Sequence, residues 1–427
     1  MELHTDLHSH SGYAGGVGNT SLADIESNMP LKGIDVVGTG DCMHPLWRSQ
    51  LESSLEETFE GLYTLQEQSP VSYLLQTEII VTSDIGGRRK GVHTILLFPS
   101  FSAIEKVTGL CESWGMKNTV GRPFLKCRDS GDVSDKMHAI RSVDDMIEVI
   151  PAHVMTPEGV FGSKAPVDSL QDFYGEYSDE ISAVETGLSS DPEILSLIPE
   201  LDKMTLISNS DAHSPALHRM GREFTTLRST RNYSSIIKAI RANNVEGTAE
   251  FNPTEGRYFL SGHRAGRAGH GDRYCVYSPS FTPSNRKCPI CGKTLTIGVL
   301  ERALELSTIQ GDTRTREDMS AKVPFVHMVP LTEIIANALG IASPISKKVL
   351  SAYAAVTSRI TESALWFSGN KAVESALSGI VDQRIIDSII TVKNGDFCFD
   401  PAGYDGVYGQ LRVGSTIDVD NISFVSD

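Results

Sequence analysis

The sequence predicts an α/β protein whose catalytic part is built from alternating strands and helices. Short apolar runs typical of strands alternate in the first half of the chain with segments of helical periodicity, and residues able to bind metal repeatedly follow the apolar runs. In β/α barrels the strands present their carboxyl ends at one face, and active sites gather there. A barrel-like arrangement with a metal site at the strand ends therefore accounts for both observations.

The alternation begins at the amino terminus. Residues Glu2 to Leu7 are predicted as a strand, Ser21 has the position of a helix N-cap, and a second strand follows at 34–38. Further strands are predicted at 72–81, 92–98, 181–186 and 204–207, with helices at 103–114, 143–149 and 234–243.

The remaining chain is predicted to form two smaller regions. A length of 427 residues is sufficient for two or three domains. We expect a catalytic region at 1–250, a small cysteine-bearing region at 251–300 and a mainly helical region at 301–427. In the last region, helices are predicted at 331–339, 345–358 and 373–378, after a helix at 297–307 that leads into it. Strands are predicted near Ile389 and at 395–397, and a frayed tail from Val419.

Nine residues that can bind metal follow the predicted strands. Residues two apart in a strand face the same side, so His8 and His10 form one pair and Asp211 and His213 another. Asp6 precedes the first pair and is expected to orient an imidazole. Imidazoles with shared carboxylates can hold two or three divalent cations (zinc, manganese or magnesium), with catalytic roles for Asp41, Glu78 and Asp211. The predicted ligands are His8, His10, Asp41, His44, Glu78, His93, His153, Asp211 and His213.

A second, structural metal site is predicted at a Cys-x-x-Cys knuckle. Cys288 and Cys291 are followed by a glycine, a spacing typical of a structural zinc site. Cys275 is the third expected ligand, and the fourth is His270 or His263. A redox function for the knuckle is less favoured, because no thioredoxin-like strand and helix surround it.

The charge is unevenly distributed along the chain. The net charge of −16 opposes nucleic-acid binding, and acidic side chains concentrate at 52–67 and 172–202. Residues 257–302, however, carry eight basic and two acidic side chains. We expect phosphate contacts there, with Arg264, Arg267 and Lys293 as DNA-binding residues; the alternative is a solvated surface.

Composition also bears on location. No run of 18 apolar residues and no leader-like segment is visible, so neither a membrane span nor a signal peptide is expected. Seven cysteines, an odd number, favour a reducing cytoplasm over a disulfide framework.

Several segments resemble motifs of known families. Asp6-Leu-His-Ser-His10 is similar to the opening motif of the polymerase and histidinol phosphatase (PHP) superfamily. Its later motifs fall at Glu78, His93, His153, Asp211 and His213, whereas Asp41 is followed by Cys42 where most of the superfamily has Thr-Asp-His. Within that superfamily the chain resembles the archaeal endonuclease Q family through segments 38–45, 151–157, 208–215, 288–299, 329–335 and 403–409.

The resemblance implies a fold and a reaction. The fold would be a distorted seven-stranded (β/α)7 PHP barrel with a small zinc-knuckle domain and a mainly helical C-terminal domain. The reaction would be metal-dependent hydrolysis of DNA, double- or single-stranded, on the 5′ side of a deaminated base (uracil, hypoxanthine, xanthine) or an abasic site. A sliding clamp as a further partner is left open.

A damage-specific nuclease also needs a pocket for an extruded base. Candidate stacking residues are Tyr13, Trp47, Phe161 and Tyr174, and Asn209 and Ser210 could contact base edges. Two other functions are weighed: a small-molecule phosphatase or phosphodiesterase on the same metal site, which would need no basic segment, and a non-catalytic DNA-binding protein, which the full ligand set disfavours.

Overall fold

The structure is a computed structural model that describes residues 1–14 and 20–426. Its strands are β1 (Glu2–Asp6), β2 (Val36–Gly38), β3 (Glu56–Phe59), β4 (Leu62–Thr64), β5 (Ser72–Ile85), β6 (Arg88–Phe98), β7 (Phe124–Lys126), β8 (Glu148–Pro151), β9 (Ala183–Glu185), β10 (Thr205–Ile207), β11 (Phe224–Arg228), β12 (Val245–Glu250), β13 (Ser261–His263), β14 (Cys275–Tyr277), β15 (Phe325–His327), β16 (Phe397–Phe399), β17 (Leu411–Val413) and β18 (Ser423–Val425).

Helices lie between the strands in the first half and dominate the last third of the chain. None of the described helices is long and apolar enough to cross a membrane. The helices are α1 (Leu22–Lys32), α2 (Pro45–Ser54), α3 (Phe101–Ser113), α4 (Ser130–Arg141), α5 (Leu170–Tyr174), α6 (Pro192–Leu195), α7 (Tyr233–Arg241), α8 (Val299–Ile309), α9 (Leu331–Ala338), α10 (Lys347–Thr357), α11 (Glu362–Phe367), α12 (Asn370–Leu377) and α13 (Gln383–Lys393).

An eleven-stranded mixed sheet organises the first half of the chain. Its path runs β15-β12-β11-β1-β2-β5-β4-β3, and β6, β7 and β8 branch from β5. The central ladder β1-β2-β5 is parallel, so these strands end at the same edge. Strands β9 and β10 form a separate parallel pair, and the hydrogen-bonded ladder of the described residues does not close into a ring. The α/β prediction is therefore confirmed, whereas a closed seven-stranded barrel is not.

The predicted start of α1 shows how sequence sets an element. Ser21 and Asp24 form a capping box, in which each side chain contacts the backbone N–H of the other residue. Gly33 ends the helix with a φ of +75°, a conformation that favours glycine. A Cβ at Gly33 would also clash with Ser363 of α11. Close packing of the C-terminal helices onto α1 therefore requires glycine here.

Three sequence predictions are wrong. The segment 143–149 is a turn leading into β8, because the helix begins earlier, after the Asp129 N-cap. The segment near Ile389 belongs to α13, in which Ile385, Ile389 and Val392 are buried at helical spacing. The tail after Val419 is not frayed, since β18 pairs with β14.

The C-terminal third contributes strands to both earlier regions. Strand β15 adds to the edge of the main sheet by pairing with β12, and β18 completes a three-stranded sheet with β13 and β14. A buried ion pair between Lys32 of α1 and Glu362 of α11, 2.7 Å long, joins the first helix of the chain to the C-terminal helices. The apolar core is likewise continuous from α1 through the sheet to α13.

Candidate metal centre

Two of the segments with predicted ligands meet beyond the end of β1. Ser9 forms an isolated bridge with Ala212, and the backbone N–H of His10 donates to the carbonyl of Ala212 at 3.0 Å. The ligand atoms of His8, His10 and Asp211 consequently lie within 4.8 Å of one another. The Asp211 carboxylate is 3.1 Å from Nε2 of His10 and 3.7 Å from Nε2 of His8.

A second group of ligands comes from β5, β6 and the end of β8. His93 pairs opposite Ile80, two residues along from Glu78, so the two side chains share a face of the sheet. Glu78 Oε1 lies 2.6 Å from His93 Nδ1 and 3.3 Å from His153 Nε2. Its other oxygen lies 3.5 Å from His10 Nε2, which places Glu78 between the two groups.

Three residues of the site have a strained backbone. The φ angles of Asp41, His153 and Asp211 are +45°, +29° and +45°, in the left-handed region that non-glycine residues seldom adopt. Such strain persists where the surrounding structure imposes it and clusters at functional sites. Gly187 lies against His153, since a Cβ at Gly187 would clash with the His153 side chain. Glycine at position 187 therefore leaves room for the His153 side chain in the conformation that directs it into the site.

Glu185, at the end of β9, is a site residue that the sequence analysis missed. Its carboxylate lies 3.0 Å from His8 Nδ1 and accepts hydrogen bonds from the His153 backbone N–H at 2.8 Å and from Asn209 Nδ2 at 2.9 Å. A carboxylate on the distal ring nitrogen fixes the orientation of a metal-binding imidazole. Its position at the end of a predicted strand was the available signal. The bonds of Asn209 to Glu185 and to the Leu7 N–H (2.6 Å) favour a structural role for that amide.

Asp41 and His44 do not join either group. Asp41 lies behind His10, 3.1 Å from its Nδ1, and accepts hydrogen bonds from the N–H and Oγ of Ser11 at 2.7 and 2.6 Å. These contacts favour an orienting role for Asp41. The His44 ring instead stacks on Tyr13, with centroids 4.5 Å apart. A ligand role for either residue stays a prediction.

His213 and Asp6 occupy the rim and the base of the site. His213 is 39% exposed, lies 3.2 Å from Asp211 through Nε2, and stacks on His10 at 4.4 Å between centroids. Asp6 accepts hydrogen bonds from the backbone N–H groups of Ser210 (2.9 Å) and Gly221 (3.2 Å). Asp6 therefore braces the loop that carries Asp211 instead of orienting an imidazole, and that expectation is wrong.

The charges of the site suit cations. Burial raises the pKa of Glu78, but His93 and His153 lower it well below its usual range; for Asp211, burial is likewise outweighed by His8 and His213. Both carboxylates are thus ionised at neutral pH. The atoms His8 Nε2, His10 Nε2, Glu78 Oε2 and Asp211 Oδ1 are buried and make no hydrogen bond within residues 1–14 and 20–426. Converging buried donor atoms of this kind fit divalent metal ions.

The two groups open into a cleft of about 880 Å³. Arg122 enters it with Nη1 3.8 Å from Glu78 Oε2, beside the exposed Val120 and Phe124. The stacking candidates Trp47, Phe161 and Tyr174 are instead buried in the core. The other basic and aromatic residues of its wall are Arg219, Arg222, Arg257, Tyr258 and Tyr408.

A basic groove of about 970 Å³ continues from this cleft, and the two share Arg257 and Tyr258. Arg264 and Arg267, two of the predicted DNA-binding residues, line the groove, and Arg267 is ion-paired with Asp405. Lys293 is exposed and is not part of the groove wall. The remaining basic residues of the wall are Lys164, Arg286 and Arg302.

The predicted knuckle brings together two cysteines and two histidines. The ligand atoms of His263, His270, Cys288 and Cys291 all lie within 4.8 Å of one another. His263 donates from Nε2 to the Thr294 carbonyl (2.9 Å), which leaves Nδ1 facing Cys291 Sγ at 3.5 Å. His270 likewise contacts the Arg273 carbonyl through Nδ1 (3.0 Å), and its Nε2 lies 3.4 Å from Cys288 Sγ. Both rings are therefore oriented as metal ligands are.

Cys275 lies at the edge of this cluster. Its sulfur is 3.6 Å from Cys288 Sγ, but it is not within the four-residue group. Burial raises the pKa of the Cys275 thiol to about 12. Burial acts the same way on Cys288, but the backbone amides of Cys291 and Ile290 lower its pKa, as suits a thiolate ligand. Spacing alone left His263 and His270 as alternatives, whereas the geometry brings both together.

Sequence comparisons find two uncharacterised relatives of the chain. No family model matches it. An uncharacterised protein of Methanocaldococcus jannaschii is 29% identical over 260 residues, which cover 57% of this chain and 29% of that protein. An uncharacterised protein of Bacillus subtilis is 24% identical over 395 residues, 89% of each chain. The chain thus spans less than a third of the first relative and nearly all of the second.

Solved structures match over greater length. The crystal structure of the lesion-specific endonuclease PfuEndoQ from Pyrococcus furiosus has a TM-score of 0.78 and 28% identity, covering 97% of this chain and 96% of that one. A crystal structure of endonuclease Q with a 27-mer duplex bearing an abasic lesion at the active site has a TM-score of 0.79 and 26% identity, covering 99% of each chain. The chain resembles endonuclease Q along its whole length. This likeness to endonuclease Q confirms the resemblance that the sequence motifs carried.

Proposed function

We propose that the chain is a metal-dependent DNA repair endonuclease that hydrolyses the phosphodiester on the 5′ side of a deaminated base or abasic site. The carrying observation is the end-to-end match to an endonuclease Q structure that holds a lesion duplex at its active site. Support comes from the two ligand groups on one cleft and from the basic groove that continues it.

The proposed metal ligands follow the two groups. His8, His10 and Asp211 would hold one divalent cation, and Glu78, His93 and His153 a second, with Glu78 between them. Bound cations would supply Lewis acidity toward phosphate oxygens and would lower the pKa of water, so that hydroxide is available near neutral pH to attack phosphorus. Zinc, manganese and magnesium are the candidate ions, and the proposal includes two or three of them, with His213 as a further ligand beside Asp211.

The protein's own residues prepare the site. Glu185 holds His8, Asp41 holds His10, and the Thr156 hydroxyl lies 2.7 Å from His153 Nδ1, so each imidazole presents Nε2 to the cleft. Fixed rings spare the reorganisation that a flexible ligand set would cost at each turnover. Arg122 is placed to contact a phosphate oxygen beside Glu78.

The knuckle and the groove are proposed to bind DNA without taking part in the chemistry. We assign one structural zinc to His263, His270, Cys288 and Cys291, with Cys275 as the alternative to one of the two histidines.

The domains are proposed as 1–250, 251–300 and 301–427. Strands β15 and β18 of the last domain pair with strands of the first and the second. A cytoplasmic location and a sliding-clamp partner both stay predictions.

The alternative function, a phosphatase acting on small metabolites, needs neither groove nor knuckle. The deciding experiment incubates the purified protein with end-labelled duplexes that contain uracil, hypoxanthine, an abasic site or no lesion, and in parallel with a chromogenic phosphomonoester. We expect cleavage only of lesion duplexes, at a single position 5′ of the lesion. Robust phosphomonoester hydrolysis, with all duplexes intact in magnesium, manganese and zinc, would establish the phosphatase instead.

A further inference from the structure

One wall of the metal cleft is a tyrosine contacted by two arginines. Arg219 Nη1 donates to the Tyr408 hydroxyl at 3.3 Å, and its guanidinium carbon lies 5.5 Å from the centre of the Tyr408 ring. The guanidinium carbon of Arg257 also lies 5.5 Å from that ring centre. Two cations thus share one aromatic ring in the cleft that contains Asp211 and His213.

The charges of these two arginines are not paired. Within residues 1–14 and 20–426, no carboxylate lies within 4.0 Å of the guanidinium of Arg219 or Arg257, whereas Arg267, Arg286 and Arg302 of the adjoining groove all form ion pairs. Two unpaired guanidinium groups facing a cleft are suited to an anionic ligand.

Two carboxyls near Arg219 have raised pKa values. Glu255 and Glu333 lie close to Arg219 and contact each other, and burial raises the pKa of both; for Glu255 the pKa lies well above its usual range. Raised pKa values reduce the negative charge that this pair places near Arg219.

The Tyr408 ring is held in place by its own segment. Segment 403–409 docks on the backbone that follows β12, with the N–H of Gly406 donating to the Arg257 carbonyl and that of Gly409 to the Glu255 carbonyl, both at 2.9 Å. A Cβ at Gly409 would approach the Thr254 carbonyl to 2.5 Å, so the approach requires glycine. The C-terminal part of the chain therefore supplies the Tyr408 side chain to the metal cleft and fixes its position.

We propose that Arg219 and Arg257, held by Tyr408, form a subsite for one backbone phosphate of the DNA strand, adjacent to the phosphodiester that is cut. The inference rests on the proposed function, because it takes the strand through the metal cleft. Guanidinium groups bind phosphate through charge-assisted, bidentate hydrogen bonds. Tyr408 touches both guanidinium groups and is a positioning residue.

The test uses lesion duplexes in which one phosphate at a time near the cut is replaced by an uncharged methylphosphonate. For the parent protein, KM should rise about 10- to 100-fold at one position other than the cut bond, as expected for lost hydrogen bonds to a charged group. Arg219→Gln and Arg257→Gln should have a similarly raised KM on the natural duplex and show no further rise at that position. Tyr408→Phe, which keeps the ring, should stay closer to the parent than Tyr408→Ala.

Arg359→Gln is the matched control, since this exposed arginine lies just after α10 and has no carboxylate partner within the described part of the chain. It should respond to every methylphosphonate as the parent does. Because Arg257 is exposed, Arg257→Gln alone decides the test if Arg219→Gln does not fold. Equal methylphosphonate profiles for the parent and Arg257→Gln overturn the subsite while the proposed function stands. A parent that cuts no lesion duplex overturns both.

Discussion

The Glu185 carboxylate lies 3.0 Å from Nδ1 of His8, which leaves Nε2 of that imidazole directed at Asp211. The same carboxylate accepts the backbone N–H of His153, a residue of the other ligand group. One side chain therefore sets the position of a ligand in each group. The distance between the two proposed cations should depend on Glu185 even though it is not among the clustered ligands.

Glu185→Gln should weaken metal binding by about 10- to 100-fold and leave the fold intact. The amide keeps the shape of the side chain but removes the negative charge that faces the His8 imidazole. Cleavage should recover at high metal concentration. Metal titration followed by cleavage rate checks this expectation, with Glu193→Gln on α6 as a control acid outside the site. An unchanged metal dependence would remove Glu185 from the site.

Loss of a proposed ligand should be more severe. Asp211→Asn or His153→Ala should abolish cleavage, while circular dichroism and affinity for a lesion duplex stay near those of the parent, since the groove is untouched. Added metal should not restore the rate, in contrast to Glu185→Gln. Activity near the parent level in either variant would show that the ligand assignment is wrong.

The knuckle assignment can be resolved by counting zinc. A Cys288→Ser, Cys291→Ser variant should contain about one zinc fewer per chain. His263→Ala and His270→Ala should each lower zinc affinity, whereas Cys275→Ser should retain zinc, since its sulfur is outside the four-residue group. Metal analysis after exposure to a weak chelator distinguishes the cases. Zinc loss in Cys275→Ser with retention in His263→Ala would restore the set expected from spacing.

The sequence predicted which side chains gather at the site better than it predicted the contacts among them. His8, Glu78 and Asp211 each follow or occupy a strand with a clear local pattern, and in the structure Glu78 and Asp211 both lie 3.7 Å from His8 Nε2. The position of Asp41 behind His10 and the meeting of both knuckle histidines depend on contacts between distant segments, which no local pattern encodes. For the same reason the residues near Ile389 favour a strand by their local pattern but form α13 in the structure, since isoleucines suit either element until packing decides.

The ion pair between Lys32 and Glu362 should be important for stability. Both side chains are buried, and Glu362 also accepts hydrogen bonds from the Leu331 N–H and the Tyr353 hydroxyl, each at 2.9 Å. Lys32→Met leaves that carboxylate without its cation, which should lower the free energy of unfolding by about 3–5 kcal/mol. Urea unfolding measures the loss. The double variant with Glu362→Gln should recover part of it, and additive losses would show that the pair is not coupled.

Contacts of the basic groove with DNA should appear in the salt dependence of binding. Each phosphate contact contributes nearly one unit to the slope of log affinity against log salt, so Arg264→Gln should lower that slope by about one. Arg267→Gln should lower it by less, because Asp405 already pairs with that guanidinium, and Lys293→Gln should have little effect because Lys293 is outside the groove wall.

Fluorescence anisotropy with a lesion duplex at several salt concentrations gives the slopes. As a control, all three variants should hydrolyse a small chromogenic phosphodiester at the parent rate, because that substrate does not need the groove. Equal slopes for Arg264→Gln and the parent would show that the DNA does not follow this groove.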